Sequence, residues 1–419
     1  HLNAPPLLMA RTDGSTPFRF SLHVGDVGHT LVIGPTGAGK SVLLALMALQ
    51  FRRYSNAQIF AFDYGGSIRC ATLGMGGDWQ DLSRIIADGD GVRLQPLARI
   101  DDPSERAWAA EWLQALLERE QEPLDPAAKE GLWHALESLA SAPVAERTLT
   151  GLVVLLQSQR LKQALTPYCL GGPWGELLDA DQEELGTADV TAFETEGLTD
   201  TAAAPAVLAY LFHRIEGRLD GRPTLILVDE GWLALDDPTF GTQLKTWLKT
   251  LRKKNASVVF ATQSLADVDN SQIAPAIIES CPTRLFLPNE RALEPQIADI
   301  YRKFGLNDRQ IEILARAIPK RDYYVQSRSG NRLFELGLGN VALSFAAASS
   351  KSDHQAINQI IDQYGLTGFA AHWLEHCGID WAADLIRASR SAEEPQNTNA
   401  LVPSDIAQVL STEPEEVTQ

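Results

Sequence analysis

Eight consecutive residues near the start of the chain form a complete phosphate-binding sequence, G-x-x-x-x-G-K-S. They are Gly34, Pro35, Thr36, Gly37, Ala38, Gly39, Lys40 and Ser41. The glycines let backbone N–H groups close around nucleotide phosphates, while Lys40 would reach the β- and γ-phosphates and Ser41 would offer its hydroxyl to Mg²⁺. An apolar run at 31–33 precedes the loop and an apolar helical stretch at 42–49 follows it, which is the setting that the motif requires. We therefore expect the protein to bind a nucleoside triphosphate.

Two acidic residues after another apolar run could bind a metal ion and activate water, which a phosphate loop alone cannot do. Residues 225–228 are apolar and lead directly to Asp229 and Glu230. A buried strand would deliver both carboxylates to the carboxyl edge of the sheet, where ligands of open α/β folds bind. Asp229 would bind Mg²⁺, directly or through water, and Glu230 would orient and deprotonate the attacking water. The pair favours hydrolysis of ATP over GTP switching; the alternative is an acidic turn without a catalytic role.

A third group of residues could respond to the γ-phosphate. The spacing of apolar residues predicts a helix that is capped by Asp237 and closed by residues 253–255, followed by a strand at 258–261 that ends in Thr262 and Gln263. In ring-forming P-loop motors such a strand lies beside the Asp-Glu strand, and its last polar residue can sense the γ-phosphate. We assign that role to Gln263, and we expect Arg252 to reach into the site of a neighbouring subunit, since a guanidinium fork matches phosphoryl oxygens. The competing arginines are Arg284, Arg302 and Arg321.

The elements around these residues alternate between apolar strands and helices. Strands are predicted at 58–62, 189–194, 224–228, 257–262 and 284–287. Near-continuous apolar strands separated by helices indicate an α/β fold with a mainly parallel sheet covered on both faces. An N-terminal β-hairpin is predicted from two short apolar runs around 12–16, and a second hairpin around 329–331.

The domain organisation follows from changes in this pattern. Residues 1–100 form the first part of the nucleotide-binding core with the hairpin and the loop, and residues 187–345 form its second part. Between them, 101–186 are predicted to be an all-helical insertion, because a helix from Arg106 to Glu120 would have one apolar side and Asp125-Pro126 starts another helix. Helices are expected at 346–390, and an acidic tail at 391–419 is expected to be disordered.

Composition narrows the functional classes. The chain has 419 residues and a net charge of −18, which disfavours a protein coated in nucleic acid but leaves room for a local basic channel. Its four scattered cysteines form no Cys-x-x-Cys pair, which suits a reducing compartment and argues against structural zinc. No apolar stretch is long enough to predict a membrane span.

The chain resembles the CagE/TrbE/VirB component family, the large ATPases of type IV secretion and conjugation, and most closely its TrbE-like branch. The motifs that carry the resemblance lie at 28–41, 224–232, 248–255, 260–264, 278–283, 304–307 and 319–324. The resemblance implies a RecA-like motor domain interrupted by a helical subdomain. It also implies a location at the cytoplasmic side of the bacterial inner membrane, together with other secretion components. Family members normally carry a large N-terminal domain, and the start at His1 is consistent with its absence here.

We therefore interpret the chain as the motor domain of a type IV secretion ATPase that uses ATP and Mg²⁺. It is expected to form a homo-oligomer, a hexamer, and to be active only in that form. A DNA-pumping coupling ATPase is the first alternative; it predicts DNA-stimulated turnover, and Lys245 and Lys249 could then line a pore. A structural docking component that uses nucleotide to fix its shape is the second. The sequence leaves open whether DNA or protein is transported.

Overall fold

The computed structural model describes residues 4–12, 14, 16–82, 92–199, 201–230, 246–263 and 274–393. Its strands are β1 (Leu8–Ala10), β2 (Phe18–Phe20), β3 (Thr30–Ile33), β4 (Gln58–Asp63), β5 (Asp78–Asp81), β6 (Val190–Glu194), β7 (Thr224–Asp229), β8 (Ala256–Thr262), β9 (Thr283–Phe286), β10 (Asp322–Ser327) and β11 (Gly330–Glu335). Its helices are α1 (Lys40–Phe51), α2 (Arg69–Gly74), α3 (Pro103–Arg119), α4 (Pro126–Ala140), α5 (Leu149–Leu155), α6 (Gln159–Leu165), α7 (Gly175–Leu178), α8 (Glu196–Thr199), α9 (Ala204–Gly217), α10 (Ala274–Ser280), α11 (Pro295–Lys303), α12 (Asp308–Arg316), α13 (Asn340–Ala346), α14 (Lys351–His376) and α15 (Asp380–Glu393). Residues 246–251 are also helical.

Nine strands form the central sheet, in the order β11-β10-β9-β3-β8-β7-β4-β6-β5. From β9 to β5 every neighbouring pair is parallel, and the antiparallel hairpin of β10 and β11 extends the β9 edge. Every residue of β3, β4, β7 and β8 is buried, which is why these strands read as unbroken apolar runs rather than alternating ones. The predicted mainly parallel α/β sheet is confirmed.

Alternate side chains of the central strands pack into two separate hydrophobic clusters. Leu31, Phe60 and Ile226 belong to the cluster on one face, whereas Val32 and Leu225 belong to the cluster on the other. The first cluster continues without interruption into the helices between β5 and β6. This helical region therefore shares a core with the sheet and does not have a separate one.

Helices α3 to α7 lie within the predicted insertion at 101–186. The side chain of Asp125 accepts a hydrogen bond from the first turn of α4, which begins where the sequence predicts it. Asp102 caps α3 in the same way, so α3 begins at Pro103 and not at the predicted Arg106. The two segments that connect this region to the sheet are hydrogen-bonded to each other. The N–H of Leu94 donates to Leu177 O at 2.8 Å, and the N–H of Ala180 donates to Leu94 O at 3.2 Å.

The two hairpins are present where the sequence predicts them. β1 and β2 pair antiparallel, and a further bridge joins Arg11 to Glu335 at the end of β11. Two features differ from prediction: the edge strand β5 was not predicted, and α15 continues to Glu393, so the first three residues of the predicted tail are helical. The rest of that tail lies outside the described residues. Within the described part of the chain, no helix combines the length and apolar character needed to span a membrane.

Candidate nucleotide-binding site

Three adjacent strands bring the predicted site residues to one edge of the sheet. In register, Ile33 at the end of β3 lies opposite Thr262 of β8, and Ala261 of β8 lies opposite Asp229 of β7. The phosphate loop, Gln263 and the Asp229–Glu230 pair therefore leave the sheet side by side. This is the carboxyl edge of the parallel strands, where ligands of such folds bind.

The phosphate loop adopts a conformation that depends on its glycines. Gly37 and Gly39 have φ angles of 79° and 101°, which only glycine adopts readily. Gly34 donates its N–H to Thr262 O at 3.1 Å, which ties the loop to β8. Helix α1 begins at Lys40, and no side chain caps its first turn. Its N–H groups can therefore hold phosphate oxygens, as at other helix N-termini.

Lys40 lies against both predicted acids. Its Nζ is 3.1 Å from Asp229 Oδ1, and it also contacts Glu230 Oε1. Lys40 and Asp229 are almost fully buried, and Glu230 is 17% exposed. Burial lowers the pKa of Lys40 and raises that of Asp229, while the ion pair opposes both shifts. Two carboxylates thus surround one ammonium group at the position where phosphates would bind.

Glu230 has an unusual backbone conformation. Its φ is 53°, in the left-handed region, and its N–H donates to Ala261 O at 3.2 Å. Left-handed backbone is unfavourable for a residue with a Cβ and occurs often at functional sites. The turn directs the Glu230 side chain towards Lys40 immediately after β7 ends.

Gln263 is connected to the phosphate loop itself. The Thr36 hydroxyl donates a hydrogen bond to Gln263 Oε1, across 227 residues of sequence. Gln263 is exposed at the end of β8. The geometry therefore allows its amide to respond to whatever occupies the loop, but its role as a sensor stays a prediction.

Arg252 lies far from its own phosphate loop. It precedes β8, whose seven residues separate the two edges of the sheet by roughly 20 Å. Its Nε is 3.3 Å from Asp26 Oδ2, and the guanidinium is half exposed. Arg252 cannot contact phosphates bound in its own subunit from this position. A role in a neighbouring subunit stays a prediction.

The three competing arginines all have local partners. Arg284 donates to Phe304 O at 2.7 Å and to Ile278 O at 3.2 Å, which ties β9 to the helices beside it. Arg302 is paired with Asp299 and Asp308, and Arg321 with Glu335. Arg284 is partly buried by its carbonyl contacts, whereas Arg302 and Arg321 are about half exposed.

Two further acidic residues, Asp63 and Glu194, lie beside the site. Asp63 ends β4, next to Asp229, and lies opposite Glu194 at the end of β6. Asp63 accepts hydrogen bonds from Ser67 Oγ at 2.7 Å and Ile68 N at 2.8 Å. Burial, reinforced by Glu194, raises the pKa of Asp63 to about 7. The Glu194 carboxylate accepts hydrogen bonds from the backbone N–H groups of residues 65, 66 and 196, and it thereby stabilises the turn after β4.

Ser41 and Asp229 are the two residues that the sequence predicts to bind Mg²⁺. Ser41 lies in the first turn of α1, directly after Lys40, whose Nζ is 3.1 Å from Asp229 Oδ1. Hydroxyl and carboxylate oxygens are the donors that Mg²⁺ prefers, so these residues fit that ion. Among the described residues no group of three His, Cys, Asp or Glu side chains forms a preassembled metal site. A Mg²⁺ ion would therefore depend on phosphate and water for its other ligands.

Sequence comparison identifies relatives over most of the chain. The profile of the TraG P-loop domain matches residues 156–328. The conjugal transfer protein TrbE of Rhizobium radiobacter is 46% identical over 390 residues, covering 92% of this chain and 47% of that protein. A probable conjugal transfer protein TrbE of Sinorhizobium fredii is 44% identical over 383 residues, covering 91% of this chain and 57% of that protein. The chain thus spans about half the length of the curated relatives it matches.

Solved structures share the fold. VirB4 of Thermoanaerobacter pseudethanolicus superposes with a TM-score of 0.63 at 17% identity, covering 81% of this chain and 99% of that one. The bacterial conjugative coupling protein TrwBdeltaN70 gives a TM-score of 0.53 at 15% identity, covering 79% and 89%. At these identities the likeness concerns the fold, and it confirms the predicted RecA-like P-loop architecture.

Proposed function

Since the chain is homologous over 92% of its length to TrbE and is also related to VirB4 proteins, we propose that it is the ATP-hydrolysing motor domain of a conjugation or type IV secretion machine. One observation carries the proposal: Lys40, Asp229 and Glu230 converge at a sheet edge beside an uncapped helix N-terminus. This arrangement combines a cradle for phosphates with carboxylates for a metal ion and a water molecule.

The chemistry assigned to each residue follows from its position. The N–H groups of residues 37–41 and the Lys40 ammonium would hold the phosphate chain, and Lys40 would exchange its contact with Glu230 for phosphate oxygens. Glu230, released from Lys40, would accept a proton from the attacking water. Ser41 and Asp229 would hold Mg²⁺, which neutralises charge on the phosphates. Gln263, tethered to Thr36, would report whether the γ-phosphate is present.

Assembly into a ring would complete the site. Arg252 lies at the opposite sheet edge and is half exposed, so only a neighbouring subunit could offer phosphates to it. Its contact with Asp26 is a surface ion pair, which costs little to exchange for phosphate. We propose a homo-oligomer, with six subunits as in ring-forming motors, in which ATP joins adjacent subunits. Other secretion components at the cytoplasmic face of the inner membrane are the proposed partners.

A paired substitution tests this function in the oligomeric protein. Glu230→Gln should bind ATP with affinity close to wild type but lose hydrolysis by about a hundredfold or more, because the base is absent. Lys40→Ala should weaken nucleotide binding itself, measured by titration with Mg²⁺·ATP. Arg252→Ala should keep binding but lower turnover in oligomers, and Arg309→Ala, which removes a surface arginine paired with Glu312, is its matched control.

The results separate the competing functions. Absence of Mg²⁺·ATP binding at millimolar concentration by wild-type protein would refute the proposal. Binding without turnover in any assembled state would favour a structural component instead. Turnover that rises with DNA and falls steeply with salt would favour a DNA-pumping ATPase.

A further inference from the structure

Lys320 lies against the phosphate loop although it is 280 residues away in sequence. Its N–H donates to Ala38 O at 2.9 Å. A Cβ built on Gly39 would come within 3.2 Å of Lys320 Cα and 3.7 Å of its Cβ. Gly39 precedes Lys40, so Lys320 contacts the part of the loop whose N–H groups face phosphates.

The turn that carries Lys320 is held in place from several directions. Ile318 donates its N–H to Asp322 Oδ2 at 2.8 Å, and the N–H of Asp322 donates back to Ile318 O at 2.9 Å. The N–H of Leu336 donates to Arg321 O at 3.2 Å, which joins the turn to the end of β11. The position of Lys320 beside the loop is therefore fixed by backbone hydrogen bonds and the Asp322 carboxylate, and none of these contacts involves the Lys320 side chain.

The backbone of Lys320 is left-handed, with φ of 63°. Glycine or asparagine adopts this conformation more readily than lysine. The side chain is exposed, so burial of its stem does not account for a lysine at this position. A disfavoured backbone conformation at a functional edge is a reason to ask what the side chain contributes.

The charge balance of the site suggests an answer. The Lys40 ammonium faces two carboxylates, Asp229 and Glu230, so the loop region has more negative than positive charge before a nucleotide arrives. A lysine stem spans about 6 Å from Cα to Nζ, which is enough to cross the width of Gly39 and reach the space in front of the loop. Lys320 would bring a second cation to that space from the β9 side, opposite to Asp229.

We propose that Lys320 is a second phosphate-contacting lysine, which acts on the nucleotide bound in its own subunit. This inference rests on the proposed nucleotide-binding function and adds a residue to it. Because Lys320 is fixed to Ala38 and Gly39, it contacts phosphates that ADP and ATP share. Its effect is therefore similar for the two nucleotides, in contrast to the effect of a group that contacts only the γ-phosphate.

Calorimetric titration with Mg²⁺·ADP and with a non-hydrolysable Mg²⁺·ATP analogue tests the proposal. Lys320→Gln keeps the backbone N–H, the Cβ and part of the stem, and removes the charge. We expect it to weaken both nucleotides by about tenfold, as for loss of one charge-assisted hydrogen bond, and the loss should shrink at high salt. Lys320→Arg should restore most of the affinity. Lys129→Gln, an exposed lysine on α4, is the matched control and should bind as wild type does.

Each outcome has a defined meaning. If wild-type protein binds neither nucleotide, both the proposed function and the role of Lys320 are refuted. If wild type binds and Lys320→Gln binds equally well, only the role of Lys320 is refuted. If Lys320→Gln and Lys320→Arg both lose affinity and also unfold at lower temperature without nucleotide, Lys320 supports the fold of the turn, and the proposal is equally overturned.

Discussion

The buried contact between Lys40 and Asp229 predicts that the phosphate-loop lysine stabilises the nucleotide-free protein. Substitution Lys40→Met keeps much of the volume but leaves Asp229, which is 3% exposed, without its cation. Removing one partner of a buried ion pair typically costs about 3–5 kcal/mol. Glu230, the other neighbour, is 17% exposed and can be solvated, so we expect a loss at the low end, about 3 kcal/mol.

A double-mutant cycle separates this pairing from the change in shape. Asp229→Asn in the Lys40→Met background removes the uncompensated charge, and the double variant should recover about 1–2 kcal/mol relative to Lys40→Met. Urea unfolding without nucleotide, followed by far-ultraviolet circular dichroism, measures all four proteins under one condition.

The pH dependence provides a second, independent readout. Burial raises the pKa of Asp229, and Lys40 is the cause that opposes this rise. Without Lys40 the pKa of Asp229 in the folded protein rises further. The variant therefore keeps its stability at low pH, where the Asp229 carboxyl is protonated, and loses it as pH rises through that pKa. The deficit of Lys40→Met should thus be smaller at about pH 5 than at about pH 8. A deficit below about 1 kcal/mol at both values, with no coupling in the cycle, would refute the reasoning.

Two further predictions concern backbone and burial at the same edge. Gly37→Ala and Gly39→Ala both place a Cβ at positive φ, but only at Gly39 does that Cβ meet other atoms, including Tyr323 Oη at 3.1 Å. Gly39→Ala should therefore destabilise the nucleotide-free protein by about 1 kcal/mol more than Gly37→Ala, its matched control. Urea unfolding of both variants measures the difference. The folded-state pKa of Asp63 is about 7, against an ordinary value of 3.8, so ionisation of Asp63 destabilises the wild-type fold as pH rises through that interval. The free energy of unfolding of Asp63→Asn relative to wild type should therefore increase by on the order of 2–4 kcal/mol between about pH 4 and pH 8. A difference that stays constant with pH would contradict the raised pKa.

Local patterns were sufficient to predict the parts of the site that lie on single segments. The loop at 34–41, the strand that ends at Asp229 and the N-cap Asp125 each depend on neighbours within a few residues, and the structure places them as predicted. The central strands were recognisable because burial on both faces leaves little room for polar residues.

Features that depend on register between distant segments were not predictable in this way. Glu194 becomes relevant only because β6 pairs with β4 and places it opposite Asp63. Lys320 reaches the loop through a hydrogen bond to Ala38, and nothing in its immediate sequence indicates that contact. The edge strand β5 is half-buried and short, so it lacks the apolar run that marked the central strands. The predicted helix from Asp237 to 255 falls largely outside the described residues, which include its last turns at 246–251 and a 3-10 turn at Arg252–Lys254.

The paired chain segments at Leu94, Leu177 and Ala180 have a consequence for how such proteins diversify. A region whose two ends leave the scaffold through one hydrogen-bonded neck can gain or lose turns without forcing the strands apart. Replacing the stretch between the neck residues with that of a relative is therefore a practical way to exchange the helical region. The side chains facing α9 must be carried over unchanged, above all Trp112, whose indole N–H donates to Ala206 O at 2.9 Å.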